Sequence, residues 1–194
     1  MKNLVNQNGE ETIYFFSESA NCIMENSLDC PSDQDTDESG SFRYWNDGEY
    51  LFLYSDGKLF QFEEMDDFAT FAEGKDIEPS DIFPEFTDDQ FFAVAYALSP
   101  SFEEMSDASL DGTNLEIMGN EYLFGTDDEM DELYDDYLDS YIDDCLGIPK
   151  DIRLYFDDER WKEDAKHGGD RPSALASYDG NELSHGDYYF YRTN

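Results

Sequence analysis

Along residues 126–146, TDDEMDELYDDYLDSYIDDCL, apolar side chains recur at Met130, Leu133, Tyr134, Tyr137, Leu138, Tyr141, Ile142 and Cys145. That i, i+3, i+4, i+7 spacing predicts a helix with one apolar face. Thr126 and Glu129 supply a T-x-x-E capping box at its start, and Gly147 and Pro149 mark its end. Thr87 and Gln90 do the same for TDDQFFAVAYALSP, a helix ended by Pro100. Shorter helices are expected over 63–74, ended by Gly74, and from about Asp157.

Strand signals are period-2 or aromatic-rich. TIYFF (12–16) reads as a short strand, and EYLFLYSDGKLFQF (49–62) as a hairpin around Ser55-Asp56-Gly57. Residues 101–125 are ambiguous, with LEIM and EYLF as candidate strands around Gly119-Asn120. ALASYDGNEL and DYYFYRT resemble a closing strand pair around Asp179-Gly180. ENSLDCPSDQDTDESGS (25–41) is a loop or linker, and 77–86 a connection. The class is α+β: an elongated chain of two or three small units with short β-hairpins and acidic amphipathic helices. The expected division is 1–41, an N-terminal segment with an acidic flexible linker; 42–125, an acidic α+β unit; and 126–194, the acidic helix plus a near-neutral C-terminal module.

Composition sharpens this picture. With 16 Phe and 14 Tyr among 194 residues the chain can bury a core, unlike disordered acidic chains. Its 49 acids against 11 bases give a net charge of −38. Such a field repels nucleic acid and anionic membranes, attracts basic surfaces and opposes compaction. From Asp76 to Pro149 there are 22 acids and no base, whereas residues 148–194 carry 10 acids and 7 bases. Neither a signal peptide nor a membrane-length apolar run is evident, so a soluble cytoplasmic protein is expected. Cys145 lies on the apolar helix stripe and is expected to be a buried free thiol, and Cys22 and Cys30 do not suggest a disulfide framework.

Catalytic chemistry is not apparent. His167 and His185 lie in polar, Gly-flanked stretches and read as surface residues; no nucleophile elbow, phosphate loop or Cys-His metal spacing appears. Asp33, Asp35 and Asp37 imitate the start of an EF-hand loop, but Glu38 stands where Gly is needed and Tyr44 where Glu is needed. No catalytic residue, metal or cofactor is therefore assigned.

The charge itself is the candidate chemistry. Asp127–Asp144 holds ten carboxylates over about 27 Å of helix, roughly one per 2.7 Å, against one per about 1.7 Å of B-DNA axis. Like charges at i, i+4 repel, so an uncompensated helix face suggests that the face is functional. Halophilic adaptation would not leave 148–194 near neutral, and an acidic histone or cation buffer would more often be low-complexity. The expected DNA-mimic surface comprises Asp128, Glu129, Glu132, Asp135, Asp136, Asp139 and Asp143, with Asp88, Asp89, Glu103 and Glu104 contributing. Tyr155, Phe156 and Trp161 are expected to be mostly buried, in the core or a dimer interface.

IPKDIRLYFDDERWKEDA (148–165) resembles the end of ArdA-type antirestriction proteins, through Pro149, Leu154, Tyr155, Phe156, Asp157, Glu159, Trp161 and Asp164. Asp158 stands where the family has Tyr, and the match covers roughly a tenth of the chain. The family consists of commonly dimeric mimics of bent DNA, encoded by plasmids, transposons and phages, that occupy the DNA groove of type I restriction–modification enzymes. The resemblance implies a non-enzymatic inhibitor, a homodimer, and such an enzyme or another DNA-binding protein as partner. A CRISPR effector, nucleoid protein or polymerase subunit is the alternative basic target.

Overall fold

The computed structural model describes residues 43–55, 58–75, 77–169 and 171–194, and before them the strand segments 2–5, 11–17, 22–25 and 35–36. Most of the expected linker 25–41, the EF-hand-like run, the hairpin tip at Asp56-Gly57 and the side chains of Cys22 and Cys30 lie outside the described residues. The fold is α+β, with three antiparallel sheets among the described residues. The chain divides into two compact units, Met1–Asp107 and Ala108–Asn194.

The first unit opens with β1 (Lys2–Val5), β2 (Glu11–Ser17) and β3 (Cys22–Glu25), paired in that order. A second sheet follows: β4 (Asp35–Thr36), β5 (Arg43–Asn46), β6 (Leu51–Ser55) and β7 (Lys58–Phe62). The expected hairpin is β6–β7, with Ser55 opposite Lys58. Helices α1 (Met65–Glu73), α2 (Asp88–Leu98) and α3 (Phe102–Ser106) complete the unit. Phe68 meets Phe62, Phe83 and Phe91 edge-on, at centroid separations of 5.4–6.4 Å. This aromatic packing is favourable beyond area burial alone. Capping boxes at Thr87/Gln90 and Ser101/Glu104 start α2 and α3.

The second unit is built on β8 (Ser109–Asp111), β9 (Asn114–Ile117) and β10 (Asn120–Thr126). Next come α4 (Asp127–Asp144), α5 (Asp158–His167) and α6 (Arg171–Leu175), then β11 (Leu183–His185) and β12 (Tyr188–Arg192). The sheet order is β11-β12-β10-β9-β8. Because β10 pairs with β12 in register Leu123↔Tyr191, residues 109–126 share a sheet with the chain's last strand. The sequence reading instead began a new module at residue 126. Strand partnership across 62 or more residues leaves no local mark in the pattern.

Met130, Tyr134 and Leu138 of α4 pack with Leu175, Ala176 and Tyr191 in one buried cluster. At the β10–α4 junction a Cβ on Gly125 would lie 2.8 Å from Glu129 Oε2 and 3.0 Å from Met130 Cε, so these two side-chain ends would have to shift to admit one. No helix among the described residues is long and apolar enough to cross a membrane.

Several expectations need correction. The β9–β10 turn is Met118-Gly119, both at positive φ (56° and 68°), one residue earlier than expected. A two-residue hairpin whose central residues both need left-handed φ explains the register. The closing strand pair turns at Gly186-Asp187, not Asp179-Gly180, and ALASY instead contributes to α6 and a turn. Cys145 is exposed, because the helix ends at Asp144 and the chain leaves the apolar stripe there. Tyr155 is 86% exposed and Leu154 90%. They follow Arg153 in a tight turn, and the Arg153 guanidinium reaches Asp143 and Asp158, 3.2 and 2.5 Å away. Phe156 and Trp161, by contrast, are half-buried, and Trp161 packs against the buried cluster of α4.

Candidate acidic binding face

Helix α4 carries its acids in two i, i+4 rows, and the structure treats the rows differently. Asp127, Asp131, Asp135, Asp139 and Asp143 form one row, and each has an ion pair with a base supplied from residues 153–171. Arg171 reaches Asp127 and Asp131, both at 2.7 Å. Lys162 reaches Asp135 at 2.8 Å and Asp139 at 3.1 Å, and Lys166 reaches Asp135 at 2.8 Å. Arg153 holds Asp143 near the helix C-terminus, the end where a cation is favoured.

The second row is Asp128, Glu132 and Asp136, with Asp144 one turn beyond Ser140. All four are exposed, and no ion pair to them exists among the described residues. Four carboxylates over about 24 Å is far sparser than duplex DNA. Helix α4 therefore offers a line of charge and not a whole duplex face. The paired carboxylates of Asp127, Asp131, Asp139 and Asp143 remain 53–72% exposed, so they still present oxygen to solvent.

The other expected residues have local duties. Glu129 closes the capping box, accepting from the Thr126 N–H at 2.7 Å and the Thr126 hydroxyl at 2.8 Å. Those hydrogen bonds hold its carboxyl below the usual range. Asp88 accepts the Ser80 N–H at 3.0 Å, and Glu104 the Ser101 N–H at 2.9 Å. Asp89 and Glu103 are exposed in the first turns of α2 and α3, where the helix dipole favours anions. These four lie on the first unit and the α4 acids on the second.

Lys162 is the residue that sequence reasoning missed. It is only 5% exposed, a buried ammonium shared by Asp135, Asp139 and Glu159. Hydrogen bonding to Asp135, then Asp139, raises its pKa well above that of an ordinary lysine. Reciprocally, the bonds from Lys162 and then Lys166 depress the Asp135 carboxyl. The every-fourth aspartates, and Lys162 and Lys166 four apart, are visible in the sequence as matching periods; the pairing between them is not.

Among the described residues no group of three or more His, Cys, Asp or Glu is arranged to hold a metal ion. His167 and His185 are exposed. No protein-family model, curated protein or solved structure matches the chain.

Proposed function

We propose that this protein is a non-enzymatic acidic inhibitor that occupies the DNA-binding surface of a basic protein, with a type I restriction–modification complex as the first target. The observation that carries this reading is the unequal treatment of the two α4 rows. The chain places its own cations against one row, which locks the helix in place, and leaves Asp128, Glu132 and Asp136 facing solvent. A solvated helix could shed the repulsion of the open row with one lysine, and from Asp76 to Pro149 there is none. The choice of target rests on the resemblance of residues 148–165 to antirestriction proteins.

The test is inhibition of DNA cleavage by a purified type I enzyme. Asp128→Asn, Glu132→Gln and Asp136→Asn together should keep the fold and weaken inhibition about tenfold or more, since each neutralised phosphate contact is lost from a salt-dependent sum. Any one of the three alone should have a small effect. Full-strength inhibition by the folded triple variant would reduce the open row to a solvated face. Excess duplex DNA should compete with the wild type for the enzyme.

A further inference from the structure

Beside the acidic rows runs an aromatic ladder. Tyr134 and Tyr137 are stacked with centroids 6.3 Å apart, Tyr137 and Tyr141 are 6.2 Å apart, and Tyr141 lies nearly parallel to Trp161 of α5 at 6.0 Å and 7°. Tyr137 and Tyr141 are 41% and 38% exposed. The ladder lines an open groove of about 410 Å³, completed by Leu138 and Ala165 and by residues of α6, with no charged side chain in its lining. That volume is in the range of ligand clefts.

We propose that this groove receives arginine side chains from the basic partner, stacking their guanidinium groups on Tyr137, Tyr141 and Trp161. This deepens the reading above and rests on it. Three observations select the occupant. Helix α4, which supplies Tyr134, Tyr137, Leu138 and Tyr141 to the lining, carries ten acids against the four bases that reach it from residues 153–171, so a cation is favoured over an anion. Asp144, exposed and without an ion pair among the described residues, lies three residues from Tyr141 and seven from Tyr137, which by helical spacing puts it on their side of α4, outside the groove's lining. A stacked guanidinium there meets a carboxylate as well as a ring, the combination that favours Arg over Lys. The chain's own arginines already use such seats: Arg192 lies 4.0 Å from the Tyr178 ring centroid and Arg171 4.9 Å from that of Tyr189. No cation of the described residues lies over Tyr137, Tyr141 or Trp161.

The probes are acetylated, amidated hexa-arginine and hexa-lysine peptides, titrated calorimetrically into the full chain at 0.15 M salt. The wild type should bind hexa-arginine about five- to tenfold more tightly than hexa-lysine. Tyr137→Leu with Tyr141→Leu should erase that preference, and Tyr137→Phe with Tyr141→Phe should keep it, because the rings remain. Should the leucine pair not fold, Tyr137→Leu alone makes the same comparison. Equal affinity of the wild type for both peptides, or an intact arginine preference in the folded leucine variant, overturns the proposal. The Asp128/Glu132/Asp136 triple amide should weaken both peptides together and leave their ratio unchanged. If it leaves binding and enzyme inhibition untouched while the leucine pair loses the preference, the groove stands and the mimic reading falls. If the arginine preference is absent but the triple amide still abolishes inhibition, the reverse holds.

Discussion

Lys162 shows how unequal the two sides of an ion pair can be. The ammonium is buried, whereas Asp135, Asp139 and Glu159 are 35%, 55% and 83% exposed. Removing the cation leaves carboxylates that water can solvate; neutralising Asp135 and Asp139 leaves the covered Lys162 ammonium with Glu159, 3.4 Å away, as its remaining acid among the described residues. Lys162→Met, which keeps the aliphatic stem, should therefore cost about 1 kcal/mol or less. Asp135→Asn with Asp139→Asn should cost about 2–4 kcal/mol. Urea unfolding of the two variants decides it, and a reversed order would mean that the acids depend on the cation more than the covered cation depends on them. The same asymmetry excludes Asp135 and Asp139 from any clean test of a binding face, since neutralising them disturbs the fold.

At the scale of helix α4, the start and the apolar stripe were legible because both are local. Thr126 and Glu129 form the capping box that their spacing announced. Met130, Tyr134, Leu138 and Ile142 are buried as the period required. Tyr137 and Tyr141 fall on the edge of the same stripe, and periodicity alone could not tell an edge from a core position. The ion-pair row was illegible, because its partners lie up to 44 residues downstream. Acid should expose this row's contribution. The Asp135 carboxyl is depressed when folded, so the stability it adds is fully present above the ordinary carboxylate value of about 4. That stability is lost as pH falls through the depressed value. The stability gap between wild type and Asp135→Asn should be constant above about pH 5 and should close towards pH 2. A gap that persists unchanged at low pH would assign the effect of Asp135 to something other than its charge.

Over the whole molecule, the α+β class and the dominance of negative charge could be read from composition and pattern. The unit boundary at Asp107 could not, because it depends on which distant strands pair. Uncompensated acids far outnumber the ion pairs on the described residues, so added salt relieves more repulsion than it removes attraction. The melting temperature should climb by several degrees between 10 mM and 0.3 M sodium chloride. A flat or falling curve would mean that the pairs, and not the open charges, govern the balance.

The distance between Asp127 and its partner Arg171, 44 residues later in the chain, also sets an order of events at the ribosome. Synthesis runs from the N-terminus at about 5–20 residues per second, so α4 is complete about 1–5 s before the last of its counter-charges is made. At the start of that interval the nascent helix has its cap and its apolar stripe but none of the cations that seat it. The last turn is the first to be relieved, when Arg153 emerges and reaches Asp143. Lys162 and Lys166 then meet the middle, and Arg171 meets the first turn last. The counter-charges of the paired row thus become available backwards along the helix, from the end made last to the end made first.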